Sequence, residues 1–340
     1  MVDKIREGLT FDDVALVPQF NNIPSRTEPE LDSWLTKDLK IKIPILASNM
    51  DTVISDSLAR ILIDNGSYPI FHRFIAFEEQ KKWVKTFKDK TFISSGIQNI
   101  ENIQELLDLG AKGLCIDVAH GHSDRMFKFI EKIKKSHPKA DVIAGNVCTA
   151  MAYHDLVNAG ADAVKVGIGP GAACTTRIVT GFGVPQFSAI QECALVAEKL
   201  RVPLIADGGI RTSRDVVLAL AAGASSVMIG KLFALTYESA AQKKNDSKSK
   251  TGKIAKYRGQ ASEDFQSEFY GGLKEKTVAE GVDFWAEVSG SARDLISQLL
   301  GGIRSGMTYG GARSIKELQR KAEFVKVTQS YIKESHTRPS

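Results

Sequence analysis

The chain has 340 residues and a formal charge of +5 from 45 basic and 40 acidic side chains, long enough for one large barrel or two ordinary domains. No apolar run approaches the roughly 18 residues of a membrane span, and MVDKIREGLTF lacks the apolar core of a secretory leader. Cys115, Cys148, Cys174 and Cys193 are dispersed without a CxxC pair, which points away from a zinc site or a disulfide framework. The basic run KKNDSKSKTGK at 243–253 has no interleaved aromatics for base stacking and reads as a solvated loop. These features predict a cytoplasmic protein with neither a membrane nor a nucleic-acid partner.

Along the chain, short apolar runs alternate with amphipathic segments. Strands are predicted at 43–48, 68–71, 91–95, 113–118, 141–146, 163–168, 203–209 and 225–230, most of them ending on or followed by Gly, Asn, Asp, Ser or His. Helices are predicted at 55–65, 77–88, 100–109, 124–136, 150–158, 186–199 and 213–221, with the closing helix at 314–325. Eight such units in order predict an α/β fold, a single (β/α)8 TIM barrel over 1–340. A doubly wound sheet is the alternative, but no GxGxxG follows an early strand. The connection of about 80 residues after the eighth strand is long enough to be functional. Residues 240–285 are read as a mobile active-site flap, and 328–340 as a tail.

In such a barrel the C-terminal strand ends face the active site. There the sequence offers Asn49 and Asp51, then His72 and Arg73, then Asp117 with His120 and His122, and Asn146. Next comes the loop KVGIGPGAACTTR at 165–177. A glycine-lined loop carrying one thiol, Cys174, suits a nucleophile that must approach a ligand closely, although free cysteine is more commonly buried and inert. Asp207-Gly208-Gly209 and Gly230-Lys231 follow the last two strands, where many barrels bind phosphate on backbone amides. Asp207 suits a ribose diol. DVAHGH lacks the i, i+4 spacing of a helical zinc pair, so its histidines are expected to hold a ligand or a carboxylate rather than a metal.

With these residues in view, the chain resembles the IMP dehydrogenase and GMP reductase family. The likeness runs co-linearly through LTFDDVALVPQ, PILASNMDTV, IDVAHGHS, VIAGNV, VGIGPGAACTTR, GVPQ, IADGGIR, VMIG, LLGGIRSGMTYGGA and KAEFVKV. It implies a (β/α)8 barrel, usually a homotetramer. Three features bear on which activity it implies. Dehydrogenases usually carry CBS modules after strand 2, whereas here IAFEEQKKWVKTFKDK leads directly to strand 3. Dehydrogenases activate water with an Arg-Tyr pair on the flap, and GQASEDFQSEFYGGLKEKTVAE, residues 259–280, contains no arginine. GQASEDFQ and HRF are similar to bacterial reductases, whereas KTVAEG is similar to the KLVPEG of bacterial dehydrogenases.

The resemblance therefore implies NADPH-dependent reductive deamination of GMP to IMP and ammonia. The alternative is a CBS-less dehydrogenase converting IMP to XMP with NAD. By the same resemblance Cys174 attacks C2 of the guanine, Thr176 and Glu280 relay the proton that the departing amine needs, and NADPH reduces the resulting thioimidate. Substrate contacts carry over to Asp207, Gly208, Gly209, Gly230, Lys231, Gly259, Gln260, Ala261 and Gly281. Cofactor contacts carry over to Arg73, Asp117, Val118, Ala119, Asn146, Gly169, Met307 and Thr308, with Ser25 and Arg26 reaching in from a neighbouring subunit. A potassium site carries over to backbone carbonyls of Gly169, Gly171, Cys174 and Arg177. Arg177 and the loop amides are also expected to favour the thiolate. Three positions depart from the pattern. Ala172 replaces a serine, Lys231 stands where Ser or Gly is common, and Thr277 replaces an arginine of animal reductases.

Overall fold

Alternation along eight short strands sends one set of side chains inward and the other outward against helices. The computed structural model describes residues 5–335. The strands are β1 (Ile45–Ala47), β2 (Ile70–Phe71), β3 (Phe92–Ser95), β4 (Gly113–Asp117), β5 (Asp141–Val147), β6 (Ala163–Val166), β7 (Leu204–Asp207) and β8 (Ser226–Ile229). Parallel ladders join them in the order β1-β8-β7-β6-β5-β4-β3-β2. Only the β1–β2 seam lacks a named ladder among the described residues, so the sheet is a nearly closed (β/α)8 barrel.

Leu46, Ile70, Phe92, Cys115, Ile143, Ala163, Ile205 and Met228 fill the barrel interior. Leu35 and Ile41, from an antiparallel hairpin of Ser33–Thr36 and Leu39–Ile41, join this cluster and plug the end opposite the strand C-termini. The outward residues, Val164 and Val166 among them, pack on α1 (Asp56–Asp64), α2 (Phe77–Phe87), α3 (Ile100–Asp108), α4 (Asp124–Ser136), α5 (Ala150–Asn158), α6 (Gln186–Leu200) and α7 (Ser213–Ala221). Ser55, Ser123 and Thr149 cap their helices by accepting the amides of Leu58, Met126 and Ala152, an interaction worth about 1 kcal/mol each. Val14–Leu16 pairs antiparallel with Phe324–Lys326, which brings the two ends of the chain together.

Two expectations need correction. The closing helix is not 314–325 but α8, Ala292–Tyr309, which packs on α7 and α1. Ile315–Lys321 is a short helix beyond it. Three glycines inside α8 lower its helix propensity and hid it. Two of them face α7: a Cβ on Gly302 would meet the Ser213 side chain at 2.2 Å, and one on Gly306 would meet Val217 at 2.8 Å. They permit the close approach of the two helices. Second, the basic run 243–253, read as a solvated loop, begins and ends in strands. Lys243–Asn245, Lys253–Arg258 and Asp283–Glu287 form an antiparallel sheet, and Glu263–Tyr270 is a helix. The predicted tail at 328–340 contains a helix at Gln329–Glu334, and its residues 336–340 lie outside the described residues. No helix among the described residues is long and apolar enough to cross a membrane.

Candidate active site

After β6 the chain turns upward into the Cys174 loop. The Cys174 amide donates to the Gly171 carbonyl at 3.1 Å, and its Sγ donates to Thr176 Oγ1 at 3.2 Å. Arg177 braces the loop from within: its Nε donates to the Ile168 carbonyl at 3.2 Å and its Nη2 to that of Val184 at 2.5 Å. The guanidinium is thus held on main-chain carbonyls.

The flap is fastened to this loop through main chain. Thr175 N donates to Glu280 O at 2.9 Å, Val282 N to Ala173 O at 3.0 Å, and Glu280 N to Ala261 O at 3.0 Å. Cys174 and Gly281 form an antiparallel bridge. A Cβ on Gly259 would meet the Ala173 carbonyl oxygen at 2.8 Å, so a larger residue would push the flap off the loop. Residues 259–261 and 280–281 therefore sit against the Cys174 loop, although more than 80 residues separate them from it in sequence.

Beneath the loop lies a group that the sequence reading left without a role. Lys165, inward-facing on β6, has a side chain 1% exposed. Its Nζ donates to Asp117 Oδ1 at 2.6 Å and to Asp207 Oδ2 at 3.0 Å. Asn146 Nδ2 donates to Asp207 Oδ2 at 3.0 Å and to the Gly167 carbonyl at 2.8 Å. Burial opposes charge on Asp117, but Lys165, Arg73 and Asn49 outweigh it and hold the carboxyl below its ordinary pKa. Burial likewise opposes the ammonium, and the two carboxylates overcome it, holding Lys165 protonated well above the ordinary lysine range.

Gly208, at φ +93, lets the turn after β7 press on the Cys174 loop, where a Cβ would meet Pro170 at 2.9 Å. Across the barrel mouth a Cβ on Gly230 would meet the Tyr257 hydroxyl at 2.6 Å. Tyr257 is a second residue that the sequence reading missed. Lys231 is exposed, with its ammonium 5.4 Å from the Phe284 ring centroid. These groups open on one cavity of about 1220 Å³, larger than the roughly 300–1,000 Å³ of a pocket for a single small ligand. Its walls include Cys174, Thr176 and Glu280 together with Asp207, Gly208, Gly209, Gly230, Lys231, Gly259, Gln260 and Ala261. They also include Arg73, Asp117, Val118, Ala119, Asn146, Gly169 and Gly171, as well as Ala172 and Thr277.

Other expected residues lie elsewhere. Gly281 and Arg177 stand behind the wall. Met307 is fully buried in α8, and Thr308 turns its hydroxyl to the Arg304 carbonyl. Ser25 bonds Thr27, and Arg26 lies over Tyr309. A single chain does not bring these four to the cavity. His122 bonds Asp155 at 2.9 Å, the neighbouring carboxylate expected of it, and neither it nor His120 lines the cavity. Asp51 pairs with Arg258, which also binds Asp264 and Glu268 and so ties the flap helix to the barrel. Phe74 packs edge-on against Phe265 of the same helix at 4.6 Å.

His72 is buried and accepts the Phe74 amide on Nδ1 at 3.2 Å. Burial pulls its pKa down from 6.5 to about 4. The unfolded chain therefore takes up the proton first. Stability is unaffected above pH 7, falls as pH drops from 6.5 towards 4, and levels off below. The expected loss is about 3 kcal/mol by pH 4. Denaturant unfolding at pH 7 and pH 4.5 checks this, with His72→Gln losing less than wild type between the two.

The IMP dehydrogenase / GMP reductase domain model matches residues 8–338. The chain belongs to the IMP dehydrogenase / GMP reductase family. It is 40% identical to inosine-5'-monophosphate dehydrogenase of Borreliella burgdorferi over 400 aligned positions, covering 99% of this chain and 98% of that one. It is 37% identical to GMP reductase of Caenorhabditis elegans over 336 positions, covering 94% and 92%. In three dimensions it is similar to the crystal structure of a cysteine-to-alanine variant of GMP reductase from Trypanosoma brucei in complex with guanosine 5'-monophosphate. The TM-score is 0.91 at 27% identity, with 99% of each chain covered. The family consists of oxidoreductases acting on purine nucleotides, which agrees with a thiol and two carboxylates at the mouth of the barrel.

Proposed function

We propose that this family member is a GMP reductase, converting GMP and NADPH to IMP, ammonia and NADP. The observation carrying this reading is the flap itself. Between Gly259 and Glu280 it holds no arginine, while its main chain sets Glu280 beside Cys174. Hydrolysis of the covalent intermediate, which the dehydrogenase requires, has no guanidinium there to activate water. Arg258, just before this segment, is occupied with Asp51, Asp264 and Glu268. Length supports the same side. The alignment to the Borreliella dehydrogenase is 400 positions long against 340 residues here, so about 60 positions have no counterpart, whereas the Caenorhabditis reductase aligns over 336.

Cys174 would add to C2 of the guanine, and Thr176, within hydrogen-bond reach of the thiol, would pass a proton with Glu280 to the departing amine. The nucleotide would lie along Asp207–Gly209, Gly230 and Lys231, with Tyr257 at the phosphate turn in place of the hydroxyl missing at Ala172. Arg73, Asp117–Ala119 and Asn146 would hold the dinucleotide. Two buried polar atoms on that wall, Arg73 Nε and Asn146 Oδ1, have no hydrogen-bond partner among the described residues, which supports this placement. The bound cofactor supplies hydride. The potassium site would draw on carbonyls of Gly169, Gly171, Cys174 and Arg177. Those of Gly171 and Arg177 already accept the amides of Cys174 and Gly181, so a cation would use their second lone pairs. A cytoplasmic homotetramer, with Ser25 and Arg26 serving a neighbouring copy, completes the reading.

The 40% identity to a dehydrogenase favours the second reading, a CBS-less IMP dehydrogenase. Purified protein is expected to consume NADPH with GMP and to release ammonia. NADH formation from IMP and NAD, with no NADPH loss on GMP, would reverse the assignment.

A further inference from the structure

A lysine sealed inside a barrel is costly. Desolvating an ammonium takes several kcal/mol unless partners restore it. Lys165 has two partners from separate strands: Asp117 at the end of β4 and Asp207 at the end of β7. Those carboxylates serve different halves of the cavity. Asp117 continues into Val118 and Ala119 near Arg73, whereas Asp207 continues into Gly208 and Gly209 opposite Gly230. Other polar groups around the trio include Arg73 and Asn49 towards Asp117, Asn146 and Tyr257 towards Asp207, and Cys115, two residues before Asp117 on β4, beside Ser94. Arg73 is the sole other cation among them. Without Lys165, two carboxylates would face each other in a buried site with no shared counterion.

We propose that Lys165 is a positioning residue common to both ligand halves, holding the mononucleotide carboxylate Asp207 and the dinucleotide carboxylate Asp117 on a single ammonium. This inference rests on the assignment of those two halves above. It makes the two subsites one electrostatic unit, so that damage at the lysine reaches both ligands at once although it touches neither.

Calorimetric titration of Lys165→Met, Lys165→Arg and the double variant Lys165→Met/Asp117→Asn tests it, with GMP and NADPH as probes and IMP and NAD in parallel. Lys165→Met is expected to weaken mononucleotide and dinucleotide each about 30-fold or more, and Lys165→Arg to restore both to within a few-fold. The double variant returns the buried cluster to its original net charge. It should regain mononucleotide affinity and thermal stability while dinucleotide binding stays lost, a selective recovery that a packing role for Lys165 would not produce. If Lys165→Met does not fold, the other two variants carry the comparison. Wild-type affinity for both ligands in Lys165→Met, weakening of only one, or no mononucleotide recovery in the double variant overturns the proposal. A wild type that prefers IMP with NAD overturns the reductase assignment and leaves the lysine comparison intact.

Discussion

Cys174→Ala is expected to lower kcat by at least about 10³-fold while GMP binding stays within a few-fold of wild type. In the proposed reaction the thiol forms the covalent bond, and no neighbouring nucleophile replaces it: Thr176, 3.2 Å away, is a hydroxyl, a far weaker nucleophile at neutral pH than a thiol. Binding should survive because the proposed nucleotide contacts, Asp207–Gly209, Gly230, Lys231 and Tyr257, lie on strands and turns that do not depend on the Cys174 side chain. The loop is held by the Cys174 amide and by Arg177, both untouched by the substitution. Steady-state rates together with titration of GMP check both halves. Turnover in Cys174→Ala near the wild-type rate would remove covalent catalysis from the account.

Glu280→Gln is expected to reduce GMP deamination by about 10²- to 10⁴-fold, the range for loss of a general acid. Glutamine keeps the shape of the side chain but cannot carry the proton that the amine takes with it. Glu280 is held in place by its own backbone, through Ala261 and Thr175, so the flap should remain docked and GMP should still bind. Ammonia release measured beside GMP affinity separates the outcomes. Loss of affinity with unchanged kcat would recast Glu280 as a base-recognition residue.

Much of this site was legible in the sequence alone. Each barrel strand announces itself by a short apolar run, most such runs ending on or followed by a polar or glycine residue, and side-chain period is a local property of sequence. The polar residues at those ends converge because a parallel barrel carries all its C-terminal strand ends to one face. That is why Cys174, Asp207, Gly230 and Asp117, from separate segments, line one cavity. The co-linear motifs added the family, and the arginine-free stretch 259–280 added the preference between its two activities.

Other features needed the fold. Helix α8 was hidden because Gly302 and Gly306 look unfavourable for a helix until α7 is seen pressed against them. The flap sheet was hidden because its strands are short and its third strand pairs with the second across an intervening helix. Tyr257 gained a place only when Gly230 came to face it. The clearest case is Lys165. It is a single charge within the apolar run 163–168, to which the sequence reading assigned no role. Its meaning lies in partners 48 and 42 residues away on β4 and β7. By itself the sequence determined the barrel, the thiol and the family, since periodicity, strand-end chemistry and motif order are written residue by residue. Only the tertiary structure decided which buried charge each carboxylate shares and how the flap reaches the thiol, because those depend on distances between segments that the chain brings together only on folding.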